Sequence, residues 1–278
     1  MKRKVIVNAD DFGLSESRNL AVVHAFKNGI CTSGSIVVNT EYFDEAVKLA
    51  KENHFIEKIG LHVNLTYGRP LTEKIKTISK YCQDNSFVQT NPRSFKRVFS
   101  FLHIKEIREE IEAQIRRFLD AGFTLRHIDA HNDILYNMPI WLAVKPLLKK
   151  YKIESIRGVE PYLFGYYRKS IISYLPLKYY FMCFYLCCRM KHIKILHGGR
   201  NINQFCLDIK QSKKRKVGSL SKQAVVEIII HPNVNEKNEY IDLTNFNKDR
   251  VCSTLDDTKT KLSGLHLIDY NELHNEKV

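Results

Sequence analysis

The sequence predicts an α/β fold, a barrel-like (β/α) domain spanning residues 1–278 with one helical, aromatic-rich excursion. Strand-like and helix-like patterns alternate six or seven times along the chain, which calls for parallel strands joined by crossover helices. A composition of 44% hydrophobic and 27% charged residues is that of globular material rather than a disordered segment. A length of 278 residues allows one large α/β domain or two small ones, and no internal repeat divides it.

Val5–Ala9 reads as a short apolar strand. Ser15–Asn28 reads as a helix: Ser15 or Ser17 can cap it, Val22, Val23 and Phe26 form its apolar stripe, and Gly29 stops it. Ser35–Asn39 is a second strand and Tyr42–Asn53 a second helix. In Lys58–Leu65 the alternation is strict, with Ile59, Leu61, Val63 and Leu65 on one face and Gly60, His62 and Asn64 on the other. Residues 66–103 carry turn residues and little periodicity, so they read as a long functional loop. Ile104, Ile107, Ile111, Ile115 and Phe118 then recur at helical spacing, with Glu112 four residues before Arg116 and Gly122 at the end. His127–His131 is a strand, Pro139–Lys150 a helix and Glu154–Val159 another strand. Residues 161–200 break this rhythm. They are basic, rich in Tyr, Phe and Cys, and interrupted by Pro176, as expected of an inserted helical excursion. Val225–His231 is a buried strand, Lys248–Leu262 a helix and Leu265–Tyr270 a last short strand.

Several function classes are disfavoured by composition. The longest run without a charged or helix-breaking residue, Tyr179–Cys188, is far shorter than the ~20 residues a bilayer core requires. The initial apolar run Val5–Val7 ends at Asn8, too short for a secretory segment. Seven cysteines, an odd number with no CxxC pair, suit a reduced, cytoplasmic protein. The formal net charge of +14 is concentrated between Lys145 and Lys222, including the run Lys213–Lys216. It reads as a solvated basic face, because residues 210–222 lack the aromatics that would stack on bases.

Four separated segments place polar residues at the ends of predicted strands, where barrel sites are assembled. Asp10 and Asp11 leave the first strand side by side. Alternation would point them in different directions, so one could bind a cation while the other acts as a base. His62 and Asn64 share the polar face of their strand. In His127-Ile128-Asp129-Ala130-His131 the two histidines and the aspartate share one face, and a carboxylate bonded to an imidazole would set its tautomer. Glu227 and His231 lie two pleats apart on the same face of a fourth strand, before Pro232. One aspartate with two histidines makes an open, catalytic type of metal site; zinc or another first-row divalent ion suits it, and Mg2+ suits imidazole less well.

With these residues in view, the chain resembles the YdjC-like carbohydrate deacetylase family, which includes chito-oligosaccharide deacetylases. VNADDFGLSES, GLHVNLTYGRPL, HIDAH, EIIIHP and LIDYNEL occur in that family's order and span nearly the whole chain. The resemblance implies a distorted TIM-like barrel that removes the acetyl group from an N-acetylated saccharide with one divalent metal ion. Asp11, His62 and His131 would be its ligands, Asp10 the catalytic base and His231 the acid. His127 and Asp129 would support His131, Glu227 would orient His231, and Asn64 and Arg157 would face the substrate. Asp133 and Leu135 stand where further histidines are common in the family, and Asn203–Cys206 is a degraded form of another of its segments. Nucleic acid is not expected as a partner, while a peripheral membrane contact and a homodimer stay open. The rival readings are another metal-dependent amidohydrolase or esterase, and a non-catalytic barrel that binds polyanions or saccharides.

Overall fold

A computed structural model describes residues 4–88, 99–153, 155–157, 194–196, 226–246 and 252–275. The chain opens with β1 (Lys4–Phe12), α1 (Glu16–Lys27), β2 (Ser33–Ile36), α2 (Phe43–Glu52) and β3 (Ile59–Val63). Next come a one-turn α3 (Glu73–Lys76) and a small hairpin of β4 (Cys82–Gln83) and β5 (Ser86–Phe87). The long α4 (Ile104–Asp120) leads to β6 (His127–Ala130), and α5 (Met138–Lys150) to β7 (Ser155–Arg157). After β8 (Lys194–Leu196) and β9 (Val226–Ile230) the chain forms β10 (Pro232–Val234), β11 (Tyr240–Phe246) and β12 (Cys252–Thr254). It ends in α6 (Leu255–Leu262), β13 (His266–Leu267) and α7 (Tyr270–Asn275).

The main sheet is parallel throughout, in the order β9-β1-β2-β3-β6-β7-β8, with β13 added at the N-terminal end of β1. Its two faces follow from the period of two along each strand. Val5, Val7, Ala9, Ile36, Ile59, Leu61, Val63, Ile128, Ile156, Ile228 and Ile230 are buried in one large core with Val22, Ala25, Ala46, Ile107, Ile111, Ile115 and Phe118 from the helices. The opposite face carries Asn8, Asp10, Ser35, His62, Asp129, Arg157 and Glu227, joined by hydrogen bonds and ion pairs from strand to strand. Arg157 on β7 touches Asp10 on β1 and Glu227 on β9, so the sheet is curled round on itself. Among the described residues β8 and β9 share no ladder, and what is seen is a curled parallel half-barrel rather than a closed TIM barrel.

Several sequence expectations are corrected. The segment 66–103 is not a bare loop. It holds α3 and the β4–β5 hairpin, and Glu110 of α4 fastens it by accepting from the Leu71 and Thr72 backbone amides at 3.0 and 2.8 Å. The expected helix 248–262 starts only at Leu255, because Thr254 and Asp257 form a reciprocal capping box there and Cys252–Thr254 pairs with β11. The expected last strand is two residues long before the chain turns into α7. His131 is not in the strand with His127 and Asp129; β6 ends at Ala130 and His131 opens a 3-10 turn. The antiparallel sheet β10-β11-β12 was not anticipated. The expected excursion 161–200 lies outside the described residues except for β8, as do the basic run 213–216 and Asn203–Cys206.

Candidate metal centre

The site is built where β1, β3, β6, β7 and β9 end. Its first component is a fault in the sheet. The register of β1 against β2 shifts between Ala9 and Phe12, and Asp11 takes the left-handed conformation at φ 68°. A bulge of this kind re-aims side chains. Adjacent carboxylates that simple alternation would separate therefore approach the same imidazole: His62 Nε2 lies 3.3 Å from Asp11 Oδ1 and 4.0 Å from Asp10 Oδ2. Gly13, at φ 80°, makes the turn that follows, since a Cβ there would lie 2.6 Å from the Val37 carbonyl oxygen.

Asp11, His62 and His131 each bring one donor atom within 4.8 Å of the others. His62 Nδ1 is 2.7 Å from Asp129 Oδ1, with Ser35 Oγ at 3.1 Å. The Nδ1–H donates to that carboxylate, which directs Nε2 toward Asp11 as the ring atom a cation would take. His131 Nδ1 is 2.7 Å from Asp11 Oδ1, and Arg18 of α1 donates to the other oxygen at 2.7 Å.

Asp10 is held differently. Arg157 grips it with Nη1 to Oδ2 at 2.6 Å and Nη2 to Oδ1 at 2.8 Å, and Asn8 donates to Oδ1 at 2.8 Å. The same guanidinium bonds Glu227 through Nε at 3.0 Å and Nη2 at 2.8 Å, and reaches Asp129 at 2.7 Å. Arg157 is thus buried among three carboxylates, which corrects the substrate-facing place that the family resemblance implied for it.

The donors suit a divalent cation. Asp10, Asp11, Asp129 and Glu227 are all buried, and against the guanidiniums of Arg157 and Arg18 they leave an excess of two negative charges when the imidazoles are neutral. Burial alone would drive His62 down, yet the charges of Asp129 and Asp10 push it up to about 10. Burial likewise opposes the ionised form of Asp11, but His131, His62 and Arg18 hold its carboxyl well below the usual range. Burial raises Glu227, and Arg157 only partly offsets it. Four buried carboxylates thus outweigh the two guanidiniums, and a cation bound here would take the place of the His62 Nε2 proton.

Three supporting residues fall in unexpected places. Asp129 bonds His62 rather than His131. His127 stacks at 3.7 Å on Tyr270 in the space left by Gly60, where a Cβ would lie 2.4 Å from its ring. Glu227 does not orient His231: its oxygens go to Arg157 and Tyr270, and His231 Nδ1 is 2.6 Å from Thr244 Oγ1 on β11. Asp242 anchors the backbone of both His231 and Thr244 at 2.9 Å. His231 is a third exposed, with Nε2 4.0 Å from Asp10 Oδ2. Asn64, expected at the substrate, is fully buried. Its amide donates to Asn39 and the Tyr67 carbonyl, and its oxygen accepts from the Thr66 and Tyr67 backbone, so it shapes the turn after β3.

Sequence reasoning missed Arg18, Ser35, Thr244, Asp242 and Tyr270. Thr244 and Asp242 had a visible signal in the alternation of Ile241, Asp242, Leu243 and Thr244, and Tyr270 lies within the LIDYNEL motif without having been given a role.

A family model described as YdjC-like protein matches residues 4–261. A carbohydrate deacetylase of Clostridium beijerinckii is 33% identical over 183 residues, covering 61% of this chain and 71% of that protein. One from Listeria monocytogenes serotype 4b is 35% identical over 162 residues, covering 58% of this chain and 64% of its own length, just under two thirds. A crystal structure from Enterococcus faecalis V583, provisionally described as a cellobiose-phosphate cleavage protein, has a TM-score of 0.65 at 20% identity. It covers 98% of this chain and 99% of its own, which shows a shared fold.

Proposed function

The chain belongs to the YdjC-like protein family, and from that premise we propose that it is a metal-dependent carbohydrate N-deacetylase on a distorted (β/α) barrel, which releases acetate and a free amino sugar. The observation that carries this reading is the convergence of Asp11, His62 and His131 beside a separately held carboxylate, Asp10. The names of the Clostridium and Listeria relatives supply the substrate class.

A divalent ion held by Asp11, His62 and His131 would polarise the acetamide carbonyl and acidify a water molecule at the site. Asp10, with both oxygens fixed by Arg157 and Asn8, is the group that accepts the proton from the attacking water. His231 supplies a proton to the departing amine, without which a C–N bond breaks slowly. Its Nε2 and Asp10 Oδ2 are 4.0 Å apart, so a single reacting atom can lie within hydrogen-bond reach of both. The Thr244 hydroxyl can accept from or donate to Nδ1, and so it supports the ring in either protonation state. Bond making and bond breaking thus fall to two residues with separate supports.

The test is acetate release from a panel of N-acetylated mono- and oligosaccharides, with the purified protein loaded with zinc and after chelation. Acetate matched by free amine, and lost on chelation, is expected. Release indifferent to chelator, or seen only with O-acetyl esters, would refute the reading.

A further inference from the structure

We propose that Tyr270, on the last helix, is a positioning residue that orients Asp10 through Glu227 and Arg157. The inference rests on the role given above to Asp10, and it concerns a residue beyond the 4–261 stretch matched by the family model.

The connection is a continuous set of buried hydrogen bonds. The Tyr270 hydroxyl donates to Glu227 Oε1 at 3.1 Å. That oxygen also accepts from Arg157 Nη2 at 2.8 Å, while Oε2 accepts from Nε at 3.0 Å. The remaining edge of the guanidinium grips both oxygens of Asp10. Tyr270, Glu227, Arg157 and Asp10 are all buried, so no part of this path is open to replacement by bulk solvent. Burial first, and then the charge of Glu227, push the phenol well above its ordinary range, which keeps it a donor.

The phenol is itself rigidly placed. Its ring lies parallel to His127, 3.7 Å away at 9°, and packs in a small separate cluster with Ile6, Ile268 and Leu273. The segment carrying it is fastened to the N-terminal end of the sheet: Ile268 N donates to Val5 O at 2.9 Å and Thr32 Oγ1 to Ile268 O at 2.7 Å. Asn271 donates to Glu57 O at 3.1 Å. A fixed donor beneath Glu227 sets the plane of that carboxylate, which sets the plane of the guanidinium and thereby the aim of Asp10 Oδ2. Small errors in that aim are costly to proton transfer but not to substrate binding.

Removing only the hydroxyl separates this role from packing. Tyr270→Phe keeps the ring on His127, and it should lower kcat by roughly tenfold with KM little changed and zinc still at one ion per chain. Glu227→Gln should lower kcat as well. If Tyr270 acts through Glu227, the double variant Tyr270→Phe/Glu227→Gln should be no slower than Glu227→Gln alone. Wild-type kcat in Tyr270→Phe, or a double variant whose loss is the product of the two single losses, overturns the role of Tyr270 and leaves the deacetylase reading intact. Absence of acetate release from the wild-type protein overturns the reading and this role together.

Discussion

Asp10 and Asp11 are neighbours in sequence with different company: Arg157 and Asn8 for one, His62, His131 and Arg18 for the other. Their substitutions should therefore separate metal binding from turnover. Asp10→Asn keeps the shape of the side chain and leaves the three proposed ligands in place. It should retain metal while losing about 10²- to 10⁴-fold in kcat, the usual scale of a general base. His62→Ala and His131→Ala each remove a ligand and should lose the metal outright, read as zinc content after dialysis. At Gly60 the His127 ring occupies the space of a side chain. Gly60→Ala should lower unfolding stability by about 1–3 kcal/mol in a denaturant titration, since neither that ring nor Tyr270 behind it can withdraw.

Helices α4 and α5 are linked through Glu112, which accepts from Lys150 and Tyr151 at the end of α5 and from Arg116 on its own helix. Lys150 above all, opposed by burial and helped by Tyr151 and Arg116, lowers the Glu112 carboxyl to about 2. A depressed carboxyl stabilises the fold above its ordinary value of ~4.3 and stops doing so as pH falls through about 2. Thermal unfolding of Glu112→Gln should thus be lower than wild type at neutral pH, by a margin kept small by solvent, and should converge with it near pH 2. The helix itself was legible from the spacing of Ile104, Ile107, Ile111, Ile115 and Phe118, because that stripe is what the core buries. The parallel strands were legible for the same reason. The end of β6 and the start of α6 were not, since a capping box and a strand terminus are decided by a few hydrogen bonds that leave the hydrophobic period unchanged.

At the scale of the whole molecule, the residues proposed as ligands and base stood out in the sequence as polar groups at strand ends, and the family resemblance divided the roles among them. Their supports could not be named. Arg157 and Glu227 meet only because the sheet curls, Thr244 reaches His231 from a separate sheet, and Tyr270 arrives from the last helix. Those pairings join residues 70, 13 and 43 positions apart. One-dimensional periodicity carries no information about them. The same curl gathers four carboxylates and two proposed imidazole ligands at one end of the sheet, and the charge of that cluster is the reason to expect an ion. The most direct measurement is metal stoichiometry of the purified protein, its Asp10→Asn variant and its His131→Ala variant after zinc loading and dialysis. One zinc per chain in the first two and none in the third is the expected result; zinc retained by His131→Ala at the wild-type level would contradict the assignment of the site.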